Sequence, residues 1–167
     1  KGAGGADIHG WLVLPPGFDA ARRYPLVQLM HGGPHTMNRD SWSYRWNTHV
    51  LASPGYVVTW VNRHGSTGFG EAFSRSIVNQ WGDMPFEDIM KSTDYLLARF
   101  PNLDKDRLAA AGASYGGYMA TWVLGHTDDE VFPPQIATRF RYNDLRVLRE
   151  KRAIEFEESG DFGNGPR

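Results

Sequence analysis

Five consecutive residues, Gly112-Ala113-Ser114-Tyr115-Gly116, constrain this chain more than any others. They match G-x-S-x-G. A serine between glycines at that spacing fits a sharp turn from a strand into a helix. The glycines let the two elements approach without Cβ clashes, and the hydroxyl projects above the carboxyl end of a sheet. A helix N-terminus beside it offers free N–H groups and partial positive charge to a developing oxyanion. By composition alone a glycine-rich chain shows this pattern in roughly one case in ten, so the motif depends on its context. Leu108–Ala113 reads as a small-residue strand before it, and Tyr115–Leu124 as a helix after it. The competing reading is a glycine-rich turn carrying an ordinary serine.

The rest of the chain supplies an α/β frame. His9–Leu14 and Leu26–Met30 read as strands, stopped by Pro15-Pro16-Gly17 and by Gly32-Gly33-Pro34. Tyr56–Val61 is β-branched and aromatic with little alternation, as in a parallel strand covered on both faces. Ser41–Ala52 and Glu71–Gln80 are helix candidates. The clearest helix carries Phe86, Ile89, Met90, Thr93, Leu96, Leu97 and Phe100 at helical spacing, with Asp83 and Pro85 at its start. Strand and helix alternate, which predicts α/β with a mostly parallel sheet flanked by helices.

Composition excludes several classes. Eighteen basic and 19 acidic residues leave a net charge of −1, with no electrostatic reason to expect nucleic acid or an anionic membrane as partner. No cysteine is present, so disulfides and thiol catalysis are out. No apolar run approaches the ~18–20 residues that span a bilayer. The start, Lys1-Gly2-Ala3-Gly4-Gly5, has no initiator Met and reads as cut from something longer. Charge is uneven. Residues 129–167 hold 15 of the 37 charged residues, whereas all six Trp lie in residues 1–128. The expected division is therefore a hydrophobic-rich domain, 1–128, and a charged tail, 129–167, either disordered or with a helix around Asp144–Glu157.

Two further segments bear on chemistry. His31-Gly32-Gly33-Pro34-His35 follows a strand, where a backbone N–H can complete an oxyanion hole. A metal reading would pair His31 with His35, but Gly-Gly-Pro forbids the helix that their spacing suits, and no acidic or Cys cluster adds ligands. Two solvated histidines on a glycine turn are the bland alternative. Asn62–Gly70 (NRHGSTGFG) lacks the Gly-Lys-Ser/Thr ending of a phosphate loop and reads as an ordered turn near the site.

Four segments, in order, resemble the catalytic domain of the prolyl oligopeptidase family of serine peptidases: GWLVLPPGFD with YPLVQLMHGGPH, PGYVVTWVNRHGSTGFGEAF, QWGDMPFEDIMKSTDYLL, and GASYGGYMATW. The likeness covers about residues 6–128 and is strongest to dipeptidyl-peptidase-like and acylaminoacyl-peptidase-like members. His64 stands where many members have Arg. The resemblance implies an α/β-hydrolase fold, incomplete on its C-terminal side, and a β-propeller elsewhere in the full-length protein. It implies Ser114 as nucleophile, with the Tyr115 and Gly33 N–H groups as oxyanion donors. Dipeptidyl peptidase IV-like members use a Tyr side chain from this turn; His31 stands there instead, which favours a backbone donor. Oligopeptides are the implied substrates, and no cofactor or metal is called for.

The same resemblance exposes a gap. The triad order is Ser, then Asp or Glu, then His. Only 53 residues follow Ser114, whereas the family's acid and histidine lie roughly 80 or more residues past the serine. His126, twelve residues on, would sit ~18 Å along the following helix, too far to be the base. Asp128, Asp129, Asp144 and Asp161 lack family context, and His9, His31, His35, His49 and His64 precede the serine. The expectation is a serine peptidase segment that is inactive alone. An esterase segment of the same fold and a non-catalytic remnant are the alternatives. The compartment, cytoplasm or periplasm, is left open.

Overall fold

The structure, a computed structural model, describes residues 1–131. The expected tail helix at Asp144–Glu157 lies outside these residues. The chain divides into two compact units at Thr121–Trp122. Of the second unit only the continuation of the last helix is described. Among the described residues no helix is long and apolar enough to cross a membrane.

A 3-10 turn, Ala3–Gly5, precedes β1 (His9–Val13), β2 (Tyr24–Met30), α1 (Thr48–Ala52), β3 (Val57–Asn62), α2 (Glu71–Arg75), α3 (Asp83–Arg99), β4 (Leu103–Gly112) and α4 (Tyr115–Val131). Strand order is β1-β3-β2-β4. β2 runs parallel to both β3 and β4, and only β1 is antiparallel, to β3. The sheet is thus mostly parallel, as its alternation with helices requires.

Side chains of β2 alternate between two apolar layers. Tyr24 and Leu26 pack with Val57, Leu103 and Leu96 of α3. Leu29 faces the other way, with Val58 and Ala52 of α1. Five of the six β3 residues are buried, which is why that strand shows no alternation in its sequence. Each large side chain so buried contributes about 1.5–3 kcal/mol.

Three local expectations shift. The helix expected over Ser41–Ala52 covers only Thr48–Ala52, because the Asn47 side chain accepts from the His49 and Val50 N–H groups and caps the helix there. The helix expected over Glu71–Gln80 ends at Arg75; Asn79, just beyond, has φ 67°, which no helix accommodates. β4 starts five residues before the expected Leu108, since Leu103 pairs with Tyr24.

Candidate active site

β2 and β4 end on one register row, Met30 opposite Gly112. The residues that follow each strand, His31-Gly32-Gly33 and Ala113-Ser114-Tyr115, therefore emerge side by side at the carboxyl edge of the sheet. Ligands of open α/β sheets bind at this edge.

Ser114 occupies the two-residue gap between β4 and α4 with φ 57°. A non-glycine residue held in that region stores on the order of 1–3 kcal/mol of strain. The flanking glycines are fixed by contact. A Cβ on Gly112 would sit 2.5 Å from the Gly116 carbonyl carbon and 2.8 Å from the Met30 oxygen, and one on Gly116 would collide with that same oxygen. Gly32 presses on the turn from the β2 side: a Cβ there would lie 2.7 Å from the Ala113 oxygen and 3.2 Å from Ser114 Cβ. Ser114 itself is exposed. With Gly32, Asn38, Arg45, Trp46 and Trp60 it lines a cavity of about 340 Å³.

Tyr115 is the first residue of α4, and Gly33 sits on the other turn with φ 46°. Among the described residues neither backbone N–H donates to a backbone oxygen. Gly32 is the glycine of this turn that lines the cavity with Ser114, whereas Gly33 faces solvent.

The NRHGST loop braces this edge. Ser66 Oγ lies 2.9 Å from His31 Nε2, and Thr36 Oγ1 lies 3.0 Å from His31 Nδ1. Arg63 is 1% exposed. Its Nη2 donates to the His31 carbonyl at 2.9 Å, and its guanidinium lies 4.3 Å over the Tyr115 ring. Burial, with the nearby Arg63 charge, lowers the His31 pKa to about 4, so the imidazole is neutral at pH 7. Burial also lowers the Arg63 pKa to about 10 and raises that of Tyr115 to about 12. All three thus keep their usual neutral-pH forms.

Beneath the loop, Asp88 of α3 is fully buried. It accepts from the Ala3 N–H at 2.7 Å, from the His64 N–H at 2.6 Å, and from His64 Nδ1 at 2.7 Å. This is a histidine–carboxylate pair of the kind that orients a general base, but His64 is not among the residues lining the Ser114 cavity. Among the described residues no histidine ring hydrogen-bonds Ser114. His35 Nδ1 instead faces the Gly65 carbonyl at 3.1 Å, and exposed His9 stacks on Phe69. Arg63 and Asp88 were not singled out from sequence. Asp88 carries a readable signal: it falls on the stripe of α3 that holds buried Pro85, Ile89 and Leu96.

Residues 42–165 match the model of the prolyl oligopeptidase family, Peptidase_S9. The chain is 48% identical over 119 residues to a probable dipeptidyl-peptidase 5 of Emericella nidulans, covering 71% of this chain and 16% of that one. It is 38% identical over 165 residues to a dipeptidyl-peptidase 5 of Schizosaccharomyces pombe, covering 99% and 24%. Among solved structures, an acylaminoacyl peptidase of Pyrococcus horikoshii superposes with TM-score 0.69 at 30% identity, covering 77% of this chain and 20% of that one. The fold is that of the α/β-hydrolase peptidases, and the chain spans less than a quarter of either curated relative.

Proposed function

The chain belongs to the prolyl oligopeptidase family, and from that premise we propose that residues 1–128 carry the nucleophile half of a peptidase active site that cleaves oligopeptides through an acyl-enzyme. The observation that carries this reading is Ser114, held at φ 57° between β4 and α4 with Gly32 against it.

Ser114 Oγ attacks the peptide carbonyl carbon and forms the ester bond. Its proton goes to a histidine supplied by polypeptide outside these 167 residues. That histidine returns the proton to the departing amine as the C–N bond breaks. Water then attacks the ester by the same route and restores the hydroxyl. The Tyr115 and Gly33 N–H groups donate to the oxyanion, a contribution of about 3 kcal/mol per donor in comparable sites. Among the described residues neither N–H donates to a backbone oxygen, which supports this assignment. The first residue of a helix also has no intrahelical acceptor for its N–H.

Taken alone, the 167 residues are inactive, because no described histidine reaches Ser114 and the family's acid and base are expected later in the chain. In the whole protein an oligopeptide is the substrate and a β-propeller is the partner domain. The test joins the chain to the C-terminal catalytic region of the Schizosaccharomyces pombe relative. Release of p-nitroaniline from dipeptide p-nitroanilides by the joined protein, lost in Ser114→Ala, supports the reading. A joined, folded protein without Ser114-dependent turnover opposes it.

A further inference from the structure

The turn after β2 carries a closed set of side-chain hydrogen bonds. His31 is 6% exposed and Ser66 is fully buried. Ser66 Oγ lies 2.9 Å from His31 Nε2. At the other ring nitrogen, Nδ1 lies 3.1 Å from the Gly32 carbonyl oxygen and 3.0 Å from Thr36 Oγ1. Thr36 Oγ1 in turn donates to the same Gly32 oxygen at 2.9 Å.

One tautomer satisfies every contact. A carbonyl oxygen only accepts, so Nδ1 carries the proton that faces Gly32. The single Thr36 hydroxyl proton goes to that oxygen too, which leaves Thr36 Oγ1 as a second acceptor for Nδ1–H. Nε2 is then bare and accepts from the Ser66 hydroxyl. The ring is neutral at pH 7, as this pattern requires, because burial and the Arg63 charge lower its pKa to about 4. Both ring nitrogens are engaged inside the turn, so the His31 side chain is not itself a donor to substrate.

The consequence falls on the peptide unit between Gly32 and Gly33. Two glycines flank it, and glycine has the widest choice of backbone angles, so the unit needs a brace from outside. His31 Nδ1 and Thr36 Oγ1 supply one, both at the Gly32 oxygen. The peptide is trans, which sets its N–H on the side opposite its C=O within one plane. A fixed Gly32 oxygen therefore fixes the Gly33 N–H on the side away from Thr36 and the His31 ring. Gly32 meanwhile lies close against Ala113 and Ser114.

We propose that His31, set by Ser66 and assisted by Thr36, is a positioning residue that keeps the Gly33 N–H turned outward for the oxyanion formed at Ser114. This inference rests on the serine-peptidase reading and adds to it the side chains that orient one of the two oxyanion donors. Without the Nδ1 proton the Gly32–Gly33 peptide is free to rotate, and a carbonyl oxygen can take the place of the N–H.

The test has a spectroscopic and a kinetic arm. Proton–nitrogen correlation spectra of the 167-residue chain at pH 7 read the tautomer. His31 should show a protonated Nδ1 and a bare Nε2, and the Nε2 resonance should move in Ser66→Ala. In the joined protein described above, His31→Gln should lower kcat about tenfold or more with KM changed by less than about twofold, because the lost orientation matters only when the oxyanion forms. His31→Asn places an amide N–H where Nδ1 stands and should recover at least about a third of the wild-type kcat. Thr36→Val, isosteric and at an exposed position, keeps the test open where a buried variant fails to fold. It should lower kcat about threefold. A protonated Nε2, interchange between the two tautomers, wild-type kcat in His31→Gln or Thr36→Val, or a loss in His31→Asn as deep as in His31→Gln would overturn the proposal. The peptidase reading fails separately, through absent Ser114-dependent turnover in the joined protein, and the ring spectrum then still decides the brace.

Discussion

The Arg63 guanidinium lies 4.3 Å over the ring of Tyr115 while its Nη2 donates to the His31 carbonyl at 2.9 Å. One buried cation thereby ties the turn after β2 to the residue after Ser114. Those are the two places from which the proposed oxyanion donors come. Replacing Arg63 with Met leaves the His31 carbonyl without this donor and removes the cation–π contact. The expected cost is about 3 kcal/mol in urea unfolding. Arg63→Lys keeps the charge but not the planar fork, and should recover only part of the loss. Equal stability of wild type and Arg63→Met would remove Arg63 from this account.

The glycines around Ser114 separate close approach from mere smallness. Gly116→Ala drives a Cβ into the Met30 oxygen and Gly112→Ala drives one into the Gly116 backbone. Neither obstacle is a flexible side chain. Each change should cost at least about 3 kcal/mol or prevent folding. Gly117→Ala meets the Gly112 oxygen at 3.5 Å, an ordinary contact, inside α4. It should be neutral or stabilising by up to about 1 kcal/mol, because Ala is the better helix former. Thermal unfolding of the three variants checks the order.

His31 predicts a pH signature. Its pKa is lowered to about 4 in the folded chain by burial and by the Arg63 charge, against an ordinary value of 6.5. The unfolded chain therefore binds the proton first as pH falls. Stability from keeping His31 neutral is complete above about 6.5 and declines as pH falls toward 4, where it levels off. The loss is on the order of 3 kcal/mol. His31→Gln should flatten the wild-type slope over that interval in urea titrations. Parallel slopes for the two proteins would contradict the assignment.

Ser114 has a stability cost that its chemistry does not require of the fold. Glycine adopts φ near 57° freely, whereas alanine does not. Ser114→Gly should therefore be more stable than Ser114→Ala by about 1 kcal/mol. Differential scanning calorimetry of the two variants reads this directly. A more stable Ser114→Ala would mean that the turn is not strained.

Local chemistry explains which parts of the fold were legible in sequence. The Ser114 turn was readable because its constraint is short-range: glycines two residues either side of a serine, between a strand and a helix. The helix Asp83–Arg99 was readable from its apolar spacing. The start of β4 was hidden, because Asp104, Lys105, Asp106 and Arg107 look like a charged loop. They form an exposed strand end only because Leu103 pairs with Tyr24. Ser41–Asn47 looked helical because a cap inside the run, at Asn47, cannot be told from an ordinary Asn without its backbone. Arg63 was hidden as a brace, and Asp88 showed only its place on the buried stripe of α3 and not its partners, for a different reason. A buried charge depends on partners brought from distant segments, and Asp88 takes its three hydrogen bonds from Ala3 and His64. The family resemblance was legible in its motifs, and the family match runs over residues 42–165.

We propose that these 167 residues present a peptidase nucleophile without the base that activates it. The most direct measurement is covalent labelling of the purified chain by a fluorophosphonate probe, beside Ser114→Ala and beside the chain joined to the C-terminal region of its Schizosaccharomyces pombe relative. The chain alone should label no more than Ser114→Ala, and the joined protein should label strongly at Ser114. Strong Ser114-dependent labelling of the chain alone would contradict it.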